Sequence, residues 1–174
     1  MLAPKRNPLP VWTDAAQCQS PIILKLYDWW CSKGGPATVP DRTAVDPLEL
    51  KAFLPNILIA EAEHNPFRVK YRLVGTKITE ITGLDITGRY IDELLSAEPD
   101  QPWQEHYATV YQSRKPLFGL TTVPTSAGGF VDYEFAILPL RRGGDRVEQF
   151  IALEDYFRFL GTIEQIEPWR VKSR

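Results

Sequence analysis

Asp132 and Glu134 stand two residues apart in the run Val131-Asp132-Tyr133-Glu134-Phe135-Ala136-Ile137, a spacing that sets two carboxylates on one face of a strand. Such a pair can divide acid and base roles when its surroundings hold one member protonated. Val131, Tyr133, Phe135 and Ile137 make the opposite face apolar, so the two carboxylates are expected to point at water. His64 lies in the turn sequence Glu63-His64-Asn65-Pro66 and reads as a surface residue. His106 lies one helical turn after Trp103 and one before Val110, on the flank of an apolar face. Cys18 and Cys31 lack the close spacing and histidine partners of a zinc site and read as two free thiols. No serine has the glycine flanks of a nucleophile elbow, and no Gly-x-Gly-x-x-Gly follows a strand. Gly128-Gly129 and Gly143-Gly144 read as hairpin turns instead of phosphate cradles. No catalytic residue and no metal site is assigned.

The composition fits that reading. The 174 residues are 44% hydrophobic and 24% charged, with a formal net charge of −2, as in an ordinary globular domain. Lysines and arginines are scattered, so neither a nucleic acid nor a membrane surface is expected as a partner. No segment approaches the roughly 18 to 20 apolar residues of a membrane span. Prolines break the N-terminus where a signal peptide needs an apolar run, so a cytoplasmic location is expected.

The elements that would position a site follow from periodicity. Residues 1–19, with Pro4, Pro8 and Pro10, read as a loosely ordered arm, and residues 20–56 as a helical extension. In that extension Ser20 and Pro21 open a helix whose stripe is Ile22, Ile23, Leu26, Tyr27 and Trp30, with Trp29 at its edge. So much aromatic surface must pack on something, either the domain's own sheet or a second copy. Asp46-Pro47-Leu48-Glu49 is a capping signature for a second helix stopping near Phe53. Residues 57–155 then read as the core. A strand over 57–62 turns into a second through Tyr71 and Leu73, and Gly75-Thr76 enters a short helix that Gly83 ends. Small helical pieces and a longer helix from about Trp103 to Ser113 lead to strands over 117–124, 130–140 and 147–155. Residues 156–174 read as a tail or short terminal helix. The expected fold class is α+β, a five-stranded antiparallel sheet with its helices gathered on one face.

In that order the chain resembles the PAS sensor fold, and more narrowly a bacterial single-domain PAS family first known as an alphaproteobacterial domain of unknown function. The matching residues are Leu26-Tyr27-x-Trp29-Trp30, Asp46-Pro47, Leu54-Pro55, Tyr71-Arg72-Leu73-Val74-Gly75-Thr76, Gly83 and Thr87-Gly88, spanning about residues 22–155. The resemblance implies a sensory or regulatory module with an interior pocket, often dimeric through its N-terminal helix, and it names no ligand or cofactor. A flavin-photoreceptor PAS domain would carry its reactive cysteine in the helical crossover, whereas both cysteines here precede the first strand. Haem-binding members take an axial histidine from the long crossover helix, where His106 sits; it is read here as a half-exposed flank residue.

The expected ligand site lies between the sheet's apolar face and the crossover helix, lined by Tyr71, Leu73, Trp103, Tyr107, Tyr111, Tyr133, Phe135 and Ile137. These side chains either line a cavity or fill the core. The expected interface is the first helix, through Ile23, Leu26, Tyr27, Trp29 and Trp30. Three functions remain open: a non-enzymatic sensor that binds a small molecule and signals through a homodimer or partner protein, a ligand-free interaction adaptor with a filled core, and a small α+β-cone enzyme. No output domain is expected within these residues, so any signal would pass to a partner in trans.

Overall fold

The computed structural model describes residues 10–94, 102–127 and 130–156. Six strands form one antiparallel sheet: β1 (Val11–Trp12), β2 (Ile57–Glu63), β3 (Arg68–Val74), β4 (Leu117–Pro124), β5 (Phe130–Arg141) and β6 (Val147–Asp155), in the spatial order β1-β4-β5-β6-β2-β3. Four helices accompany them: α1 (Pro21–Ser32), α2 (Thr76–Thr82), α3 (Ile91–Leu94) and α4 (Trp103–Ser113). The helices α2 to α4 make the crossover from β3, at one edge of the sheet, to β4 on the far side.

The sheet is buried on both faces. On the inner face Tyr71, Tyr107, Val110, Phe135, Ile137, Phe150 and their neighbours form one cluster under the crossover. On the outer face Ile23, Leu26 and Trp30 of α1 form a second cluster with Phe118, Ala136, Leu138, Ile151 and Leu153. The helices are therefore divided between the faces, not gathered on one. The aromatic stripe of α1 finds its partner in its own sheet, with Ile23 and Leu26 fully buried and Trp30 at 1% exposure. Trp30 Nε1 also donates to the Pro139 carbonyl at 2.9 Å. Of the expected interface residues, Ile23, Leu26 and Trp30 are buried against the chain's own sheet, while Tyr27 and Trp29 are half-buried, and Trp29 Nε1 donates to Glu49 at 2.8 Å.

Local signals hold where they are strong. Ser20 caps α1 by accepting from the Ile23 amide, with Pro21 in the first turn. Gly83 ends α2 at φ 72°, a conformation that other residues adopt only with strain. Gly75, not Thr76, occupies the cap position of α2 and makes no side-chain cap.

Three elements differ from expectation. Residues 10–19 are ordered: Val11 and Trp12 pair with Gly119 and Phe118, and Cys18 Sγ accepts from Trp12 Nε1 at 3.3 Å. Burial pushes that thiol up to about 11. The stretch after Asp46 forms tight turns and a 3-10 segment over Lys51–Asn56 instead of an α-helix, and it runs through Pro55. Asp46 does accept from the Leu48 amide, but Glu49 reaches outward to Trp29 and Lys33, so the reciprocal cap is not made. At β2–β3 the register slips by one residue between Ile59 and Ala60, because Ile59 faces Leu73 while Ala60 faces Tyr71. The expected loop residues Gly128 and Gly129 and the expected terminal segment beyond Tyr156 lie outside the described residues.

Candidate functional site

The inner face is built by alternation. Tyr133, Phe135 and Ile137 project from β5 on one side of the pleat, at 3%, 2% and 1% exposure. Above them α4 presents Trp103, Tyr107, Val110 and Tyr111 at helical spacing. Trp103 meets Phe135 edge-on at 5.0 Å and lies nearly parallel to Tyr133 at 6.4 Å. Tyr107 meets Phe150 at 5.0 Å and Tyr71 at 6.3 Å, both edge-on. Seven of the eight expected lining residues are therefore brought together, with Trp103 and Tyr111 half-buried at the periphery.

Leu73 is the exception. It is 39% exposed, and the inner position falls to Val74. The cause is the extra residue in β3: one inserted residue sends every later side chain to the opposite face.

The site's polarity is concentrated in a few groups. Tyr107 and Tyr71 are hydrogen-bonded through their hydroxyls, and burial holds the Tyr107 phenol well above its ordinary range, so it stays protonated. Gln104 donates from Nε2 to the Phe67 carbonyl at 3.1 Å, while its buried Oε1 has no partner among the described residues. Glu154, opposite Phe135 across β5–β6, accepts from the Tyr156 hydroxyl.

His106 stacks on Phe135 at 5.6 Å and meets Trp103 edge-on at the same distance. Burial lowers its pKa below the ordinary 6.5, against a weaker opposing pull from Glu105. The unfolded chain then takes up a proton at a higher pH than the folded one. Stability contributed by this group is complete above about pH 6.5 and declines as pH falls below it towards the folded value. His106→Gln is expected to remove that part of the decline, read as urea midpoints at about pH 7.5 and 5.5. Parallel midpoint curves for wild type and variant would show that His106 does not titrate in this way.

Two polar groupings escaped the sequence. His64 is 17% exposed and joins three elements: Nε2 lies 2.9 Å from Glu148 Oε2, and Nδ1 lies 2.9 Å from the Tyr111 hydroxyl. A carboxylate only accepts, so Nε2 carries the proton in the neutral ring and Nδ1 accepts from Tyr111. Burial alone would raise the Glu148 carboxyl, but the hydrogen bonds from His64 and Arg146 leave it below its usual value. The second grouping is on the outer face, where Glu134 is fully buried instead of solvated. Its Oε1 accepts from the Gln19 amide at 2.9 Å and its Oε2 from the Ser20 amide at 2.6 Å. The Ser20 hydroxyl donates in turn to Asp155 Oδ2 at 2.6 Å. The available signal was the unbroken apolar run Phe135 to Leu140, which marks a strand covered on both sides. Asp132 is half-exposed and accepts from the Thr122 hydroxyl at 2.6 Å.

Comparison with known proteins agrees with this architecture. A family model described as PAS domain matches residues 18–153, most of the chain. No curated protein is significantly similar in sequence. Among solved structures the chain is similar to one titled "Structure of an RNA-binding Light-Oxygen-Voltage Receptor", at 18% identity and a TM-score of 0.50. The likeness covers 76% of this chain and 42% of that one, and at this identity it is a likeness of fold. Among the described residues no helix is long and apolar enough to cross a membrane. With a six-stranded antiparallel sheet, a helical crossover on its inner face and a family match over residues 18–153, the chain belongs to the PAS domain family.

Proposed function

We propose that the chain is a non-enzymatic sensory or regulatory module that reads a small molecule held between α4 and the inner face of the sheet. The observation that carries this reading is Gln104. A buried amide oxygen without a donor costs about 1–3 kcal/mol, and a bound molecule offering one N–H or O–H removes that cost. The rings of Trp103, Tyr107, Tyr111 and Tyr133, which belong to or pack against the inner-face cluster, favour a ligand with a flat apolar body, oriented by this acceptor and by the Tyr71–Tyr107 hydroxyls. Gln104→Leu removes the partnerless oxygen together with the donor of the Phe67 carbonyl, two opposing effects, so it is expected to change the stability of the ligand-free chain by no more than about 1 kcal/mol in urea unfolding while abolishing retention of a bound molecule. Retention unchanged in the variant would remove Gln104 from the reading.

A second reading, the ligand-free adaptor, draws on a different observation. Tyr107 against Phe150 at 5.0 Å and Tyr133 against Tyr156 at 4.8 Å are already in ring contact, as in a filled core. In either case the output passes through a second copy or a partner protein. Of the apolar residues expected at that contact, Tyr27 and Trp29 are the two that stay partly exposed on α1. Size-exclusion chromatography with light scattering tests the homodimer: a clean monomer at high concentration contradicts it.

A further inference from the structure

Three segments far apart in sequence meet at one end of the sheet. Residues 39–42 dock on the turn between β5 and β6. The Pro40 carbonyl accepts from the Arg141 amide at 3.0 Å, and Asp41 Oδ2 accepts from the Gly143 amide at 2.8 Å and from Arg141 Nη1 at 3.2 Å. The last turn of α4 reaches the same end, because the Tyr111 hydroxyl bonds His64 and His64 bonds Glu148 of β6, each at 2.9 Å. The side chains of Arg42, Arg114, Lys115 and Arg142 stand on these segments with no hydrogen-bond, ion-pair or ring partner among the described residues. Asp41 is taken by Arg141 and Glu148 by Arg146 and His64, which leaves Asp145 as the one unpartnered carboxylate of the three segments.

Cations that alternate with acids along the chain are thus collected by the topology. The opposite end of the same strands carries Asp132, Glu134, Glu154 and Asp155, and the whole chain has a formal charge of −2. The field at the β5–β6 turn therefore opposes that of the rest of the molecule. Two backbone features sharpen the point. Arg114 ends α4 at φ 59°, a left-handed position that glycine fills without strain. The helix dipole favours a cation here, but Lys115 next door already supplies one, so the strained position itself need not be an arginine. The Gly143–Gly144 turn is bare, with nothing within 4 Å of where either Cβ would stand. Another chain can approach the backbone there, between Arg142 and Arg146.

We propose that this end of the sheet is a docking surface for an acidic segment of a partner protein, held by Arg42, Arg114, Lys115 and Arg142. Guanidinium groups match carboxylates with paired hydrogen bonds, and three of the four cations are arginines. A nucleic acid fits less well. Single strands are met by a charged groove with open rings for the bases, whereas Phe67 and Tyr111, the rings at this end, pack on each other at 4.7 Å. A long polyanion would also run into the carboxylates beyond the patch, while a short acidic segment stays within it. The surface stands whether or not the inner face holds a molecule.

Fluorescence anisotropy of a fluorescein-labelled oligoglutamate peptide, titrated with the full chain, tests the surface. Saturable binding is expected at low salt, weakening roughly tenfold between about 20 and 150 mM NaCl. Arg114→Glu combined with Arg142→Glu is expected to weaken it at least roughly tenfold. Lys25→Glu combined with Lys51→Glu makes the same change in net charge at exposed sites elsewhere, and is expected to cost less than about twofold. Absence of saturable binding at low salt, or equal weakening by the two pairs, would overturn the surface. Tighter binding of a labelled oligothymidylate of matched charge, or of vesicles of phosphatidylserine in phosphatidylcholine, would overturn the choice of a protein partner. If a reversed pair fails to fold, Arg114→Gln with Arg142→Gln against Lys25→Gln with Lys51→Gln carries the same comparison with the same outcomes.

Discussion

Trp30→Ala is expected to lower the stability of the chain by about 3–5 kcal/mol, while Trp29→Ala, one residue away, costs under about 1 kcal/mol. The two residues looked interchangeable in sequence, and the sheet separates them. Trp30 is 1% exposed, packs in the outer-face cluster, and satisfies its indole N–H on the Pro139 carbonyl. Its ring also lies where a Cβ on Gly35 would sit, 2.1 Å away, so the following turn closes directly over it. Truncation removes a large buried area, leaves a cavity, and strands a carbonyl. Trp29 is half-buried and bonds to the exposed Glu49. Urea unfolding of both variants, compared through midpoints at unchanged slope, measures the difference. Equal losses at the two positions would contradict the placement of α1 on the sheet.

Gly75→Ala is expected to be comparably severe, about 3 kcal/mol or more, though it adds a single methyl group. Gly75 has ordinary extended torsions, so conformational freedom is not the reason. The reason is space. A Cβ at Gly75 would fall 2.3 Å from the Pro55 carbonyl oxygen and 2.4 Å from that of Leu54. Those are backbone atoms of the segment leading into β2, and they cannot rotate aside. The Gly75 amide donates to the Ile57 carbonyl at 2.8 Å in the same corner, so any retreat would break a strand-end contact. Gly143→Ala is the control: φ there is 74°, but nothing lies within 4 Å, and only the conformational cost of about 1–2 kcal/mol applies. Thermal or urea midpoints for the two variants should therefore differ clearly, and equal shifts would contradict the tight corner.

Much of this fold was legible because its signals are local. The cap at Ser20, the left-handed glycine at position 83 and the alternation in β5 each follow from a few neighbouring residues. What escaped depends on distant partners. Leu73 was placed on the inner face by strict alternation, and nothing in the β3 sequence reveals that it carries one residue more than β2 can match. Glu134 was turned towards water because a strand face bearing two carboxylates normally meets solvent. Ser20, which caps the covering helix, lies 114 positions earlier in the chain, and no local rule connects them. The two-residue β1 is too short to leave a period. His64 was read from its turn alone, whereas its surroundings come from α4 and β6. The aromatic lining of the site survived because large apolar side chains on a strand and a helix can be assigned to the core from their spacing.

The central claim, that the inner face under α4 holds a small molecule, is tested most directly by native mass spectrometry of the freshly purified chain. The account predicts a mass above that of the 174-residue polypeptide, released on denaturation and absent from Gln104→Leu purified in parallel. A wild-type chain at its bare polypeptide mass, with no absorbance beyond that of its own tryptophans and tyrosines, would contradict it and leave the filled-core adaptor in its place.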